Sequence, residues 1–194
     1  NQRSYWVHPS SMIIILIMCG VTALFGALSL AYLYSRVDRS MQSVKIPVLF
    51  LFNTFVLIFS SFAIQRCRKY FEARHEVLCA RWGLITLGAT TLFLILQGIA
   101  WYQLFHNNIL PASSGGHGFL YAISILHFLH VMAGIPFLAR IIIPLVVAKR
   151  EGNAALFFLD DDQRRRLRHT AWYWHFIDIV WVYLVVFFLV NSFL

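Results

Sequence analysis

Two short stretches near the end of the chain hold the side chains best suited to chemistry in an apolar environment. His127 and His130 lie three apart in one apolar segment, and His175 and Asp178 lie three apart in the next. Residues with this spacing share one face of a helix. Asp178 is the only acidic residue inside an apolar segment of this chain. Because an unpaired carboxylate at membrane depth is costly, we expect Asp178 to have a partner.

The simplest arrangement is a structural polar cluster. In it the two segments pack together, a histidine N–H donates to Asp178, and amides on other segments or backbone carbonyls take the remaining hydrogen bonds. The expected members of this cluster are His127, His130, His175, Asp178, Asn53 and Gln97.

Two functional arrangements are alternatives to the cluster. A haem needs axial ligands on facing helices, which His127 or His130 could supply together with His175. A proton or ion path is the other, because ionisable groups within a membrane are often functional. Zinc or copper would need about three ligands at one point, and di-iron chemistry several glutamates, whereas only Asp178 is present. We therefore assign no catalytic, cofactor-binding or metal-binding residue.

The composition identifies the environment in which these groups must lie. Of the 194 residues, 60% are hydrophobic and 12% are charged, and the mean hydropathy is +0.71. The charged share is about half of the roughly 25% usual in globular proteins. Five apolar segments are long enough to cross a bilayer as helices. We therefore predict an all-α membrane protein with one domain, 1–194, whose five transmembrane helices cover 12–34, 46–65, 82–104, 118–148 and 171–194.

The distribution of lysine and arginine predicts the orientation. Apart from Arg140, twelve of these residues flank one side of the membrane and three flank the other. The positive-inside rule places the richer side in the cytoplasm. The N-terminus is then cytoplasmic and the C-terminus periplasmic. The net charge of +8 is explained by this topology and by contact with anionic headgroups, so no nucleic-acid partner is expected.

Several residues are expected to serve helix packing. Gly134 permits close approach of a neighbouring helix. Trp172, Trp174 and Trp181 are expected to pack between helices or to anchor the last one. A transporter would favour internal repeats and several intramembrane charges, and this chain has neither.

The two polar stretches also resemble a known family. The sequence YWHFIDIVW at 173–181 is similar to the signature of the last helix in subunit III of haem–copper cytochrome oxidases. The sequence HFLHVMAG at 127–134 is similar to that family's preceding helix, with Phe128 in place of a glycine. Weaker similarities extend the resemblance to all five segments, in the manner of the five-helix bacterial form.

The resemblance implies an accessory subunit without a redox centre, in a proton-pumping oxidase that reduces oxygen to water. Such a subunit packs directly against subunit I, is accompanied by subunits II and IV, binds phospholipid and supports proton uptake. Haem and copper would belong to the partner subunits, and the location would be the bacterial inner membrane. The electron donor, cytochrome c or quinol, and membership of a larger respiratory supercomplex depend on the other subunits.

This chain departs from the family at three positions where the family has glutamate. Val21, Ala100 and Arg168 stand in those places. Any role that depends on these carboxylates is therefore not expected here.

Overall fold

The computed structural model describes residues 9–38, 46–150 and 158–193. Five long helices make up this structure: α1 Pro9–Asp38, α2 Val48–Glu72, α3 Glu76–His106, α4 Gly115–Arg150 and α5 Asp161–Phe193. Each is long and apolar enough to cross a membrane. The predicted class of five membrane-spanning helices is confirmed, and the described residues contain no strand.

The helices extend beyond the apolar segments from which they were predicted. The largest differences are at the end of α2, which reaches Glu72 rather than 65, and at the starts of α3 and α5, which begin at Glu76 and Asp161 rather than at 82 and 171. Hydropathy marks only the part of a helix that lies in the hydrocarbon layer, whereas the backbone hydrogen bonds continue into water. Acidic side chains in the first turn favour the N-terminal end of a helix, and both of these starts carry them.

A tight turn joins α2 to α3 and brings these two helices into the most extensive helix pair of the fold. The chain reverses at Ala73–His75, where Arg74 adopts a φ of 56°. Three backbone hydrogen bonds hold the reversal, from the N–H groups of Ala73, Arg74 and His75 to carbonyls in the last turns of α2. Most of the residues between the second and third apolar segments, 66–81, are thus helical.

The last helix holds the bundle together. α5 contacts α1, α2 and α4. α3 packs between α2 and α4, and α1 lies against α4 and α5. Among the 18 most apolar consecutive residues of each helix, 44% are buried in α5 but only 17% in α1. Two apolar cores result: one is centred on Phe93 and Trp181, and the other surrounds Cys67, Cys79 and Trp174. The fold therefore places α4, which carries His127 and His130, beside α5, which carries His175 and Asp178.

Candidate functional site

His175 and Asp178 meet a serine of α2 that the sequence did not single out as their partner. His175 Nδ1 lies 2.5 Å from Ser61 Oγ, and Ser61 also lies close to Asp178. A hydroxyl has one hydrogen to donate and accepts on its oxygen. The arrangement that satisfies all three groups therefore has His175 Nδ1–H donating to Ser61 and the Ser61 O–H donating to Asp178. Asp178 itself is 5% exposed.

The expected hydrogen bond from a histidine to Asp178 is not found among the described residues, and the prediction of this pairing was wrong. His130 Nδ1 is 2.7 Å from the backbone oxygen of Leu126 on its own helix. Both His127 nitrogens and Asp178 Oδ2 are buried without a hydrogen-bond partner in the described structure. The reason is the rotation of α5 about its axis, which points His175 and Asp178 towards Ser61 on α2.

Two other expected members of the cluster, Asn53 and Gln97, bond to each other rather than to the histidines or Asp178. Asn53 Nδ2 donates to Gln97 Oε1 at 2.9 Å, and both side chains are fully buried. If α2 slid along α3, both amides would lose this hydrogen bond and would face apolar surroundings. The pair therefore fixes the register of α2 against α3.

Two tryptophans of α5 add further hydrogen bonds to the same side of α2. The indole N–H of Trp174 donates to Ser60 Oγ at 3.2 Å, and that of Trp181 donates to Thr54 Oγ1 at 3.2 Å. Ser60 in turn lies 3.3 Å from Thr90 Oγ1 of α3. We call the polar side chains of α2 that bond to α3 and α5 the polar seam; they are Asn53, Thr54, Ser60 and Ser61.

His127 lies in an aromatic cage rather than in a ligand set. Its ring centroid is 4.9 Å from that of Trp181, 6.0 Å from Phe93 and 6.2 Å from Phe25, and the residue is 0% exposed. These rings occupy the space that a haem would need beside the imidazole. Within the described ranges, no three His, Cys, Asp or Glu side chains are grouped so that they could hold a metal ion.

Gly134 and two of the three tryptophans lie where helices meet. A Cβ added to Gly134 would lie 2.9 Å from Trp174 Cζ3 and 3.1 Å from Tyr173 Cε1, so only glycine permits this contact between α4 and α5. Trp174 and Trp181 are buried. Trp172 is 40% exposed, and its ring contacts are with Arg168 and His169 on its own helix. Trp172 therefore faces outward, as an anchoring residue would, and not into the space between helices.

Sequence reasoning named Thr54 as a possible partner of the cluster but missed Ser60 and Ser61 of the polar seam. The signal was present, since Asn53 and Ser60 lie seven apart and so share a helix face. It also missed the Tyr173 hydroxyl, which donates to the backbone oxygen of His130 at 3.0 Å and ties α5 to α4. Serine and threonine in membrane helices commonly bond to their own backbone, so their sequence alone does not reveal an interhelical partner.

The positions where the family carboxylates are missing lie in three different surroundings. Ala100 is fully buried in the apolar core, and Val21 is 6% exposed beside a groove between α1, α4 and α5. Arg168 is exposed near the start of α5.

Comparison with known proteins places this arrangement in a family. The model of the family "Cytochrome c oxidase subunit III" matches residues 10–192, which include nearly all of the five helices. Proteins described as probable cytochrome c oxidase subunit 3 from Nocardia farcinica and Mycobacterium leprae are each 30% identical to the chain over 66% of its length. Cytochrome c oxidase subunit 3 of Tachyglossus aculeatus aculeatus is 24% identical over 75% of the chain.

The matched stretches cover 59% of each bacterial relative and 50% of the mammalian one, so the chain spans little more than half the length of the relatives that it matches. The family match nevertheless extends over all five helices, and the two polar stretches on α4 and α5 lie inside it. The chain belongs to the cytochrome c oxidase subunit III family.

Proposed function

We propose that this chain is an accessory, non-redox subunit of a proton-pumping terminal oxidase that reduces oxygen to water in aerobic respiration. The observation that carries the proposal is the family match over residues 10–192. The aromatic cage around His127 and the serine-bound His175 agree with a subunit in which histidines serve structure rather than ligation. Haem and copper would reside in partner subunits, with subunit I in direct contact and subunits II and IV in the same complex.

Within such a complex the chain would act as a scaffold that stabilises subunit I and supports proton uptake. The polar seam and the Gly134 contact join four of the five helices into one unit. The outer surfaces are strongly apolar, and α1 is the least buried helix. Surfaces of this kind suit lipid or the apolar helices of another membrane subunit.

We further propose that a phospholipid occupies the groove between α1, α4 and α5. This groove has a volume of about 610 Å³. Apolar side chains such as Ile13, Ile17 and Phe137 line much of it, while Arg140 and Arg166 lie near the ends of α4 and α5 that are predicted to be cytoplasmic. An apolar groove with cationic groups at its mouth suits acyl chains and an anionic headgroup.

The location proposed is the bacterial inner membrane, with the N-terminus in the cytoplasm and the C-terminus in the periplasm. The support is the excess of lysine and arginine on one side. Fusing a periplasm-active reporter to either end tests this orientation: the C-terminal fusion should be active and the N-terminal fusion inactive. The opposite result would reverse the topology.

Purification through a tag on this chain tests the proposed function. Detergent-solubilised native membranes should yield a complex with a reduced-minus-oxidised haem spectrum and oxygen consumption. After dissociation, this chain should lack the Soret band. Recovery of the chain without a haem-containing partner would contradict the proposal. A Soret band that remained with the isolated chain would show instead that the chain is a haem-binding membrane cytochrome.

A further inference from the structure

A second cavity lies on the other side of α5, where this helix meets the end of α2. Its volume is about 300 Å³, and its lining contains three arginines, Arg68, Arg164 and Arg168. The buried side chains of Phe71 and Leu167 form its apolar part. We call this cavity the α2–α5 basic pocket. It shares no lining residue with the groove between α1, α4 and α5.

The charges in the basic pocket do not balance. Three guanidinium groups face one carboxylate, that of Glu72, which lies 3.5 Å from Arg68 Nε. Arg68 Nε is buried and makes no hydrogen bond in the described structure. Among the described residues, the ion pairs are Arg68 with Glu72 and Arg165 with Asp162, so Arg164 and Arg168 have no carboxylate partner there. An anion in the pocket would relieve the repulsion among the arginines.

Arg164 and Arg168 line the basic pocket from one face of α5. They lie four apart on α5, so they share the face that is turned towards Arg68 on α2. Guanidinium groups present planar pairs of N–H donors that match the oxygens of phosphate. Arg168 lies only three residues before the apolar stretch that begins at Ala171, which places the pocket near the level of the lipid headgroups.

We propose that the α2–α5 basic pocket binds a phosphate group through Arg68, Arg164 and Arg168. Either an anionic phospholipid headgroup or free phosphate could supply this group. The proposal does not depend on the oxidase function, because it follows from the charge and shape of this cavity. The sequence resemblance places a glutamate at the position of Arg168, so the pocket distinguishes this chain from the pattern of the family that it resembles.

Two neutral substitutions and one matched control test the proposal in the tag-purified, detergent-solubilised protein. Arg164→Gln and Arg168→Gln each remove a pocket cation. Arg165→Gln removes an adjacent cation that pairs with Asp162 and does not line the pocket. Arg164 is exposed, so its substitution tests binding even if a change at Arg168 impairs folding.

Two probes distinguish the sources of the phosphate group. Isothermal titration with inorganic phosphate measures free-phosphate binding, and native mass spectrometry after reconstitution with phosphatidylglycerol or phosphatidylcholine measures retained anionic lipid. Each pocket substitution should weaken the binding that is found by about tenfold, whereas Arg165→Gln should leave it unchanged. Binding of phosphate alone identifies a free anion, and selective retention of phosphatidylglycerol identifies a headgroup. Absence of both, or an equal loss in the Arg165→Gln variant, overturns the proposal.

Discussion

The hydroxyl of Ser61 gives the most direct test of how the last helix is held. Replacing Ser61 with alanine removes a single oxygen and leaves the helix backbone intact. In the structure that oxygen is 2.5 Å from His175 Nδ1 and lies close to Asp178, to which its O–H can donate. The substitution therefore deprives two side chains of α5 of their partner on α2 at the same time.

Two magnitudes bracket the expected loss of stability. A buried polar group left without a hydrogen bond costs about 1–3 kcal/mol. Measured couplings between polar side chains of membrane helices are smaller, on average about 0.6 kcal/mol and at most about 1.7 kcal/mol. His175 is only half-buried, so it recovers part of its loss by rearrangement or from water. We expect Ser61→Ala to lower the free energy of unfolding by about 1–2 kcal/mol.

Unfolding of the purified protein in mixed micelles, followed by tryptophan fluorescence, measures this loss. Thr91→Ala is the matched control, because Thr91 is exposed and its hydroxyl bonds only to the backbone oxygen of Leu87 on its own helix. A double-mutant cycle of Ser61→Ala with His175→Phe isolates the pair and should give a coupling of about 0.6–1.7 kcal/mol. A loss equal to that of Thr91→Ala, together with zero coupling, would refute the role assigned to Ser61.

Four further substitutions test other contacts or serve as a control. Gly134→Val should destabilise the protein by about 2 kcal/mol, because added atoms would overlap Trp174. Gly88→Ala should be neutral or stabilising in the same unfolding assay, since nothing lies within 4 Å of a Cβ there. Arg36→Met removes donors to the backbone and side-chain oxygens of Asn191 at 2.7 and 2.8 Å, so amide hydrogen exchange in the last turn of α5 should accelerate by about tenfold. Asp178→Ala should cost about 1–3 kcal/mol and lower the occupancy of this subunit in a purified complex; full occupancy with unchanged turnover lifetime would contradict the prediction.

The number and class of the helices were predictable because hydropathy and length are local properties of a chain. A run of about 20 apolar residues must satisfy its own backbone in a membrane and therefore forms a helix. The same reasoning placed the starts of α3 and α5 too late, because Glu76 and Asp161 lie outside the hydrocarbon layer but inside the helix. The family too was recognisable from sequence, since the stretch 173–181 combines rare residue types at fixed spacing.

The partners of the polar side chains required the tertiary structure. Spacing showed that His175 and Asp178 share a face, but the neighbour of that face depends on how all five helices rotate and pack. That packing directs the pair to Ser61, encloses His127 in aromatic rings and turns Trp172 outward.

The sequence by itself thus determined that five helices cross a membrane, that Asp178 is an isolated intramembrane acid and that Gly134 permits close packing. Only the tertiary structure decided which hydroxyl lies beside Asp178 and which arginines line the α2–α5 basic pocket. The physical reason is that hydrophobic length acts along the chain, whereas a hydrogen bond or a charge cluster depends on atoms of separate helices meeting within a few ångströms.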